Sequence, residues 1–261
     1  MLAELNDRAV ISLSGPEARE FLQGLITNDV KAIAPDHPVY AALLTPQGKI
    51  LFDFLISEAE DGLFIDCYLD TSEALVKRLS LYKLRAKVDV KLRNDVGVFT
   101  DTDAANSDPR HPALARRRIG PIIDAPSGAS KYMAQRLDLG IPEGADFGSD
   151  RMFALDAGLD ELHAVSFDKG CYVGQELTAR MKHRGTARKR LLPVATIGGN
   201  PLPARDVPVT AGGQEIGAIS SVYGARGFAV VRLDRLTDTA DTPLEAGGVA
   251  ISVTKPSWLF P

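Results

Sequence analysis

The chain has 261 residues, 45% hydrophobic and 25% charged, an ordinary soluble globular composition with length enough for a sizeable core. A formal charge of −4 excludes bulk affinity for nucleic acid while leaving room for a local basic patch. Two cysteines far apart, Cys67 and Cys171, exclude a disulfide scaffold, and no run approaches transmembrane length.

The first seven residues carry acids and no long apolar core, so no secretory signal is expected, and reduced thiols in a cytoplasmic monomer are. Residues 8–13 read as a strand. Ser14 follows as an N-cap, with Pro16 early in the helix and Glu17 three residues on. Ala18, Phe21, Leu22 and Leu25 recur at helical spacing, and the helix should end near Thr27-Asn28-Asp29. Residues 39–44, 49–57 and 63–68 are apolar runs joined by Thr45-Pro46-Gln47-Gly48 and Asp61-Gly62, which predicts an antiparallel meander. Alternation turns Asp53 away from the face that Phe52 and Phe54 share, toward solvent or a ligand.

Residues 71–84 predict a helix with Leu75, Leu79 and Tyr82 on one face, and residues 87–92 a half-exposed strand. Residues 101–112 read as a loop. Arg116-Arg117-Arg118 reads as a solvated charge run or as a surface for an anion. The stretch 121–148 yields no clear element, and 151–159 is a short helical candidate. Residues 182–190 hold six basic residues, counting His183, and no acid. They form a solvated face or an anion surface. After Leu191 come short strands at 191–197, 207–210, 215–221, 227–233 and 249–254, separated by Gly and Pro turns. That pattern predicts a small antiparallel barrel, with a domain of residues 1–190 before it and one of 191–261 containing it. No Cys/His pair has metal-ligand spacing, so no zinc or iron site is expected.

The densest chemistry lies in residues 166–180, which bring a thiol, an amine, a phenol, an amide, a carboxylate and a guanidinium together with Gly170 and Gly174. Gly174 predicts a helix start, with Gln175 and Glu176 in the first turn and Glu176 spaced to pair with Arg180. Cys171 lies on the approach, two residues after Lys169. An ammonium and a helix N-terminus both favour a thiolate. Cys171 is thus a nucleophile candidate, the alternative being a small packed hydrophobe.

The stretch Lys169-Gly170-Cys171-Tyr172-Val173-Gly174-Gln175-Glu176 resembles the K-G-C-Y-x-G-Q-E signature of the YgfZ family. These are folate-binding relatives of the glycine-cleavage T-protein (aminomethyltransferase), linked to iron–sulfur protein maturation. The similarity continues through Arg180 and His183-Arg184-Gly185, and returns at residues 21–30 and 43–53. It implies an α+β fold: a T-protein-like folate-binding core of ferredoxin-like pieces with a C-terminal antiparallel β-barrel. It implies tetrahydrofolate, or a one-carbon derivative, as cofactor, and iron–sulfur client or assembly proteins as partners. Under that resemblance Cys171 and Lys169 are the catalytic pair. Asp53 meets the pterin, and Asn28, Tyr172, Gln175, Glu176 and Arg180 complete the binding set. Where T-proteins carry an acidic pair, this chain reads Phe52-Asp53, which weakens the case for methylene transfer. A folate-dependent one-carbon transferase and a non-catalytic adaptor for iron–sulfur clients are the alternative readings.

Overall fold

A computed structural model describes residues 2–104, 107–185, 188–238 and 242–260. Residues 105–106 of the loop reading and 186–187 of the basic run lie outside the described residues. The chain opens with the short strand β1 (Ala3–Glu4) and then builds a five-stranded antiparallel sheet in the order β3-β4-β5-β2-β6. Its members are β2 (Arg8–Ser14), β3 (Val39–Leu44), β4 (Ile50–Ala59), β5 (Gly62–Tyr68) and β6 (Asp89–Arg93). β3 is buried along its whole length because both faces of the sheet are covered. On one face Ala41, Leu43, Phe54 and Ile56 pack with Leu22 of α1 (Ala18–Gln23) and Leu75 and Leu79 of α2 (Leu69–Lys83). On the other, Tyr40, Ala42, Leu44 and Leu55 meet Leu155, Leu159 and Leu162. Each such side chain contributes about 1.5–3 kcal/mol through burial. Asp53 faces away from Phe52 and Phe54, as alternation requires, but it is buried rather than solvated.

A second, three-stranded sheet runs β1-β7-β8, with β7 (Val96–Thr100) and β8 (Arg117–Pro121). Helix α3 (Ala129–Leu139) falls in the stretch that the sequence leaves unassigned, and ends at Gly140 in the left-handed region (φ 68°). After α4 (Gln175–Arg184) the chain closes a barrel in the order β10-β11-β12-β9-β14-β13. Its strands are β9 (Lys189–Thr196), β10 (Pro208–Ala211), β11 (Gln214–Tyr223), β12 (Arg226–Arg232), β13 (Leu244–Ala246) and β14 (Val249–Val253), with α5 (Leu233–Asp238) before β13. Closure leaves no free edge.

Three local expectations are corrected. Ser14 caps nothing: it is the last residue of β2, and Glu17 holds the N-cap position of α1 while its carboxylate accepts the Lys87 N–H. Residues 151–159 form turns instead of a helix, with Gly158 at φ 78° against the Trp258 ring. Arg117 is buried, not solvated, because β8 points it into the interior.

Candidate functional site

α4 starts where the sequence places it, with Gly174 as N-cap in the left-handed conformation (φ 84°). A β-carbon there would lie 2.5 Å from the Thr45 carbonyl oxygen and 2.9 Å from the Leu44 Cβ, so only glycine lets the signature loop press onto the β3–β4 turn. Gly170 is different, since a β-carbon there would meet nothing within 4 Å. Gln175 Oε1 accepts the Tyr172 N–H at 3.1 Å and folds the loop back onto the helix. The Tyr172 ring packs on the core, and burial pushes its phenol up to about 12. Glu176 and Arg180 make the expected i,i+4 pair at 2.8 Å on the exposed face.

Lys169 has a different job from the one its neighbourhood in sequence suggests. Its Nζ donates to the carbonyls of Gln23, Ile26 and Asn28, each at 2.7 Å. Those are all the donors an ammonium has. Lys169 therefore clamps the end of α1, and all three of its donors are used there. Burial pulls its amine down to about 8, against the opposing pull of Asp29. Asn28 is spent in the same way. Its Nδ2 donates to the carbonyls of Tyr40 and His163, both at 2.8 Å, and its Oδ1 accepts the Asp29 N–H. Thr27, fully buried, adds a bond from its hydroxyl to the Ala164 carbonyl at 2.6 Å, and its own carbonyl accepts the Ser166 N–H. The two motif stretches of the sequence are thus stitched to each other across the fold, and Asn28 is part of that stitching.

On this platform Cys171 is exposed. Cys67 is buried in the sheet, and burial pushes its thiol up to about 12. Among the described residues no group of three or more His, Cys, Asp or Glu side chains could hold a metal ion.

Behind the platform lies a buried ionic cluster that sequence reading did not anticipate. Arg8 and Arg117 share Asp66, each at 2.6 Å. Arg110 grips Asp108 with Nε and Nη2, at 2.9 and 2.7 Å, and reaches Glu143 at 2.5 Å. Glu143 also accepts the Tyr68 hydroxyl at 2.5 Å. Arg136 binds Asp146 at 2.5 Å, and Asp146 in turn accepts from Ser221 and Tyr223 of the barrel at 2.5 and 2.9 Å. Burial opposes the ionisation of Glu143 and Asp108, yet the facing guanidiniums win and hold both carboxyls below the usual range.

Asp53 belongs to this region. Its Oδ2 accepts the Tyr40 hydroxyl and its Oδ1 the Gly144 N–H, both at 2.9 Å, while burial and nearby Glu143 raise its carboxyl. The cavity beside it is about 140 Å³, lined by Tyr68, Asp70 and Phe147 among others. Ligand pockets for molecules of folate size run to about 300–1,000 Å³. The residues around Asp53 do not fit tetrahydrofolate as they stand: both carboxylate oxygens are committed, and the cavity is smaller than such a ligand needs. Tyr172, Gln175, Glu176 and Arg180 belong to the loop and α4.

Two sheets under a closed barrel, with an exposed thiol on a braced loop, define an aminomethyltransferase-like fold. Its likeness to the glycine cleavage system aminomethyltransferase T from Bartonella henselae has a TM-score of 0.74, covering 98% of this chain and 85% of that one at 16% identity, a likeness of fold. Residues 188–261 match the CAF17 C-terminal beta-barrel domain. The chain is 32% identical over 307 residues to the mouse mitochondrial iron-sulfur cluster assembly factor IBA57, covering 97% of this chain and 84% of that protein. It is 36% identical over 231 residues to the IBA57 homolog of Neurospora crassa, covering 74% of this chain and 53% of the relative. The chain belongs to the IBA57 family. The family shown is thus IBA57, where the signature motif suggested YgfZ. The chain spans 53% and 59% of its fungal relatives from Neurospora crassa and Mycosarcoma maydis. Those two and the mouse and human relatives are all named mitochondrial, which overturns the cytoplasmic expectation.

Proposed function

We propose that this protein supports iron–sulfur cluster assembly by presenting the Cys171 thiol to a partner protein. The observation that carries the reading is the contrast between an exposed thiol and its braced surroundings: Lys169, Thr27, Asn28 and Gly174 all hold the loop, and none of them needs a ligand to do so. Fe–S clusters are held by sets of thiolates, commonly four cysteines. One exposed cysteine supplies a single ligand, so the others come from the partner. The cluster is cargo in this scheme, which agrees with the mouse and human relatives being named assembly factors. A folate-dependent one-carbon transfer gains no support at Asp53, whose oxygens are already taken.

Replacing the chromosomal gene with Cys171→Ser tests this. The variant should fold with an unchanged thermal midpoint, because the side chain is exposed. The activity of cluster-dependent enzymes should fall as far as in a deletion strain, because a serine hydroxyl is a poor cluster ligand and a far weaker nucleophile than a thiolate. Normal enzyme activities with Cys171→Ser would end the proposal.

A further inference from the structure

Residues 77–87 hold five cations, Lys77, Arg78, Lys83, Arg85 and Lys87, and no acid, in a chain whose net charge is −4. They cover the last two turns of α2 and the start of its link to β6. Helix α2 lays Ser72, Leu75 and Leu79 on the sheet, with Val76 and Tyr82 at the margin of that contact. At about 3.6 residues per turn, Lys77 and Leu81 fall on the opposite side, and Arg78 lies one turn before Leu81. Leu81 is 63% exposed. Leu84, the C-cap, is 89% exposed and holds φ at 45°, a value that favours glycine. Burial does not explain a leucine at that position. Lys83 leans toward Asp89, which also pairs with Lys91 at 2.5 Å. Lys77, Arg78, Arg85 and Lys87 are exposed and have no side-chain partner among the described residues. Of the acids on adjoining elements, Glu17 is engaged with the Lys87 N–H at 3.0 Å. Glu60 and Asp61 sit at the β4–β5 turn, two strands over from β6 and so about 10 Å away.

This corner is far from the signature loop. The loop presses on Thr45, where β3 turns into β4 beside Leu44 and Ile50. The Lys87 and Val88 backbone instead packs on Gly15, at the end of the sheet where Ser14 pairs with Gly62 and Asp89. β4 runs from Ile50 at the first end to Ala59 at the second, a span of about 30 Å.

We infer that the end of α2 docks peripherally on an anionic lipid membrane, with Leu81 and Leu84 inserted and Lys77, Arg78, Arg85 and Lys87 around them. The inference is independent of the role given to Cys171, and a membrane on this corner leaves the signature loop uncovered. Charge and composition select the occupant. Aliphatic side chains ringed by Lys and Arg match the boundary between headgroups and acyl chains, where leucines bury and long cationic stems reach the phosphates. A protein partner fits less well. Protein interfaces are depleted in Lys and enriched in aromatic residues, and residues 77–87 expose lysines and no aromatic ring. Nucleic acid binding draws on cations and gives no role to the two exposed leucines.

Co-sedimentation of the full chain with vesicles tests this. One set is phosphatidylcholine alone, and the other carries phosphatidylglycerol at about 30% to supply negative charge. At low salt the protein should partition onto the anionic vesicles on the order of a hundredfold more strongly than onto the neutral ones. Salt at about 1 M should remove most of that difference, because the Debye length falls to about 3 Å. Lys77→Gln/Arg78→Gln should weaken anionic binding roughly tenfold, through the two lost charges. Leu81→Ser/Leu84→Ser should weaken it by a similar factor, about tenfold, through lost apolar burial. Leu84→Gly separates binding from folding. Glycine relieves the positive φ, so the thermal midpoint should hold or rise while vesicle binding falls. Equal partition onto neutral and anionic vesicles would overturn the inference. So would anionic binding that survives the glutamine and serine variants. A face that ignores vesicles but binds a poly-glutamate peptide or a single-stranded oligonucleotide under the control of Lys77 and Arg78 would overturn it too, in favour of a protein or a nucleic acid.

Discussion

The signature loop and the Glu143 cluster are made from the same residue types, and burial gives them opposite roles. In the cluster, Arg8, Arg110, Arg117 and Arg136 face Asp66, Asp108, Glu143 and Asp146 out of contact with water. Every one of these charges is costly unless its partner is present. In the loop, the ion pair Glu176–Arg180 is exposed and contributes little, while the buried elements are backbone carbonyls held by Lys169 and Thr27. Charges that look catalytic in sequence are here mostly architectural. The Cys171 thiol, by contrast, is exposed.

The largest effect should come from breaking the cluster. Arg110→Ala leaves Asp108 and Glu143 buried without their strongest partner and should cost about 3–5 kcal/mol, read as a lower denaturant midpoint at an unchanged slope. The same carboxyls set the acid limit. Because Glu143 and Asp108 are held below their unfolded values, their contribution is present above the ordinary carboxylate range and is lost as pH falls through it. Stability should drop steeply below about pH 4, and Glu143→Gln should flatten that drop. A wild-type protein with flat stability down to pH 3 would mean the cluster is not ionised as described.

Next in size is Lys169→Met, which strands three carbonyls and should cost about 2 kcal/mol. The alkylation rate of Cys171 in the folded variant should not change. A slower thiol in an equally stable protein would restore Lys169 as an activator and blur the contrast between the two regions. Gly174→Ala should cost a similar amount, about 2 kcal/mol, from positive φ and the clash with Thr45. Gly170→Ala, which meets nothing, should stay within about 0.5 kcal/mol.

Another small effect concerns Asp156 at the junction of core and barrel. Burial raises its carboxyl to about 6, against the pull of Arg190 and Lys189. A raised acid binds a proton more readily in the folded state, so it lowers stability as pH climbs from about 4 to 6. Asp156→Asn should therefore raise stability at pH 7 by less than about 1 kcal/mol, discounted for its partial exposure, and leave it unchanged at pH 4. A loss of stability at pH 7 would show that the carboxylate has a stabilising partner in solution.

Local pattern explains what the sequence made legible. The runs at 39–44 and 49–57 were legible because a strand covered on both faces reads as a short apolar run between turn residues, and the Gly and Pro punctuation after Leu191 marked five of the strands that close the barrel. The short β13 was missed, since three residues carry no period. The start of α4 at Gly174 and the Glu176–Arg180 pair are local events and were visible too. Contacts between distant residues were not. Lys169 sits two residues from Cys171, but its acceptors lie more than 140 residues away. Arg117 looked like part of a solvated run, because its partner Asp66 is 51 residues upstream and nothing in either neighbourhood announces the other. Helix α3 escaped for a related reason, since the residues it buries are Tyr132 and Arg136, and a buried arginine has no apolar period to read.

The bonds from Asp146 to Ser220, Ser221 and Tyr223 have a consequence for protein engineering. Ser221 and Tyr223 donate to the same carboxylate that neutralises Arg136 and Ser220 donates to the Asp146 carbonyl, so the barrel is fastened to the core and is not an interchangeable module. A chimera carrying a relative's barrel would leave Asp146 short of donors unless hydroxyls stood at the equivalents of 220, 221 and 223. Grafts that bring those hydroxyls along should assemble, and grafts that omit them should yield a core and a barrel that fold without docking.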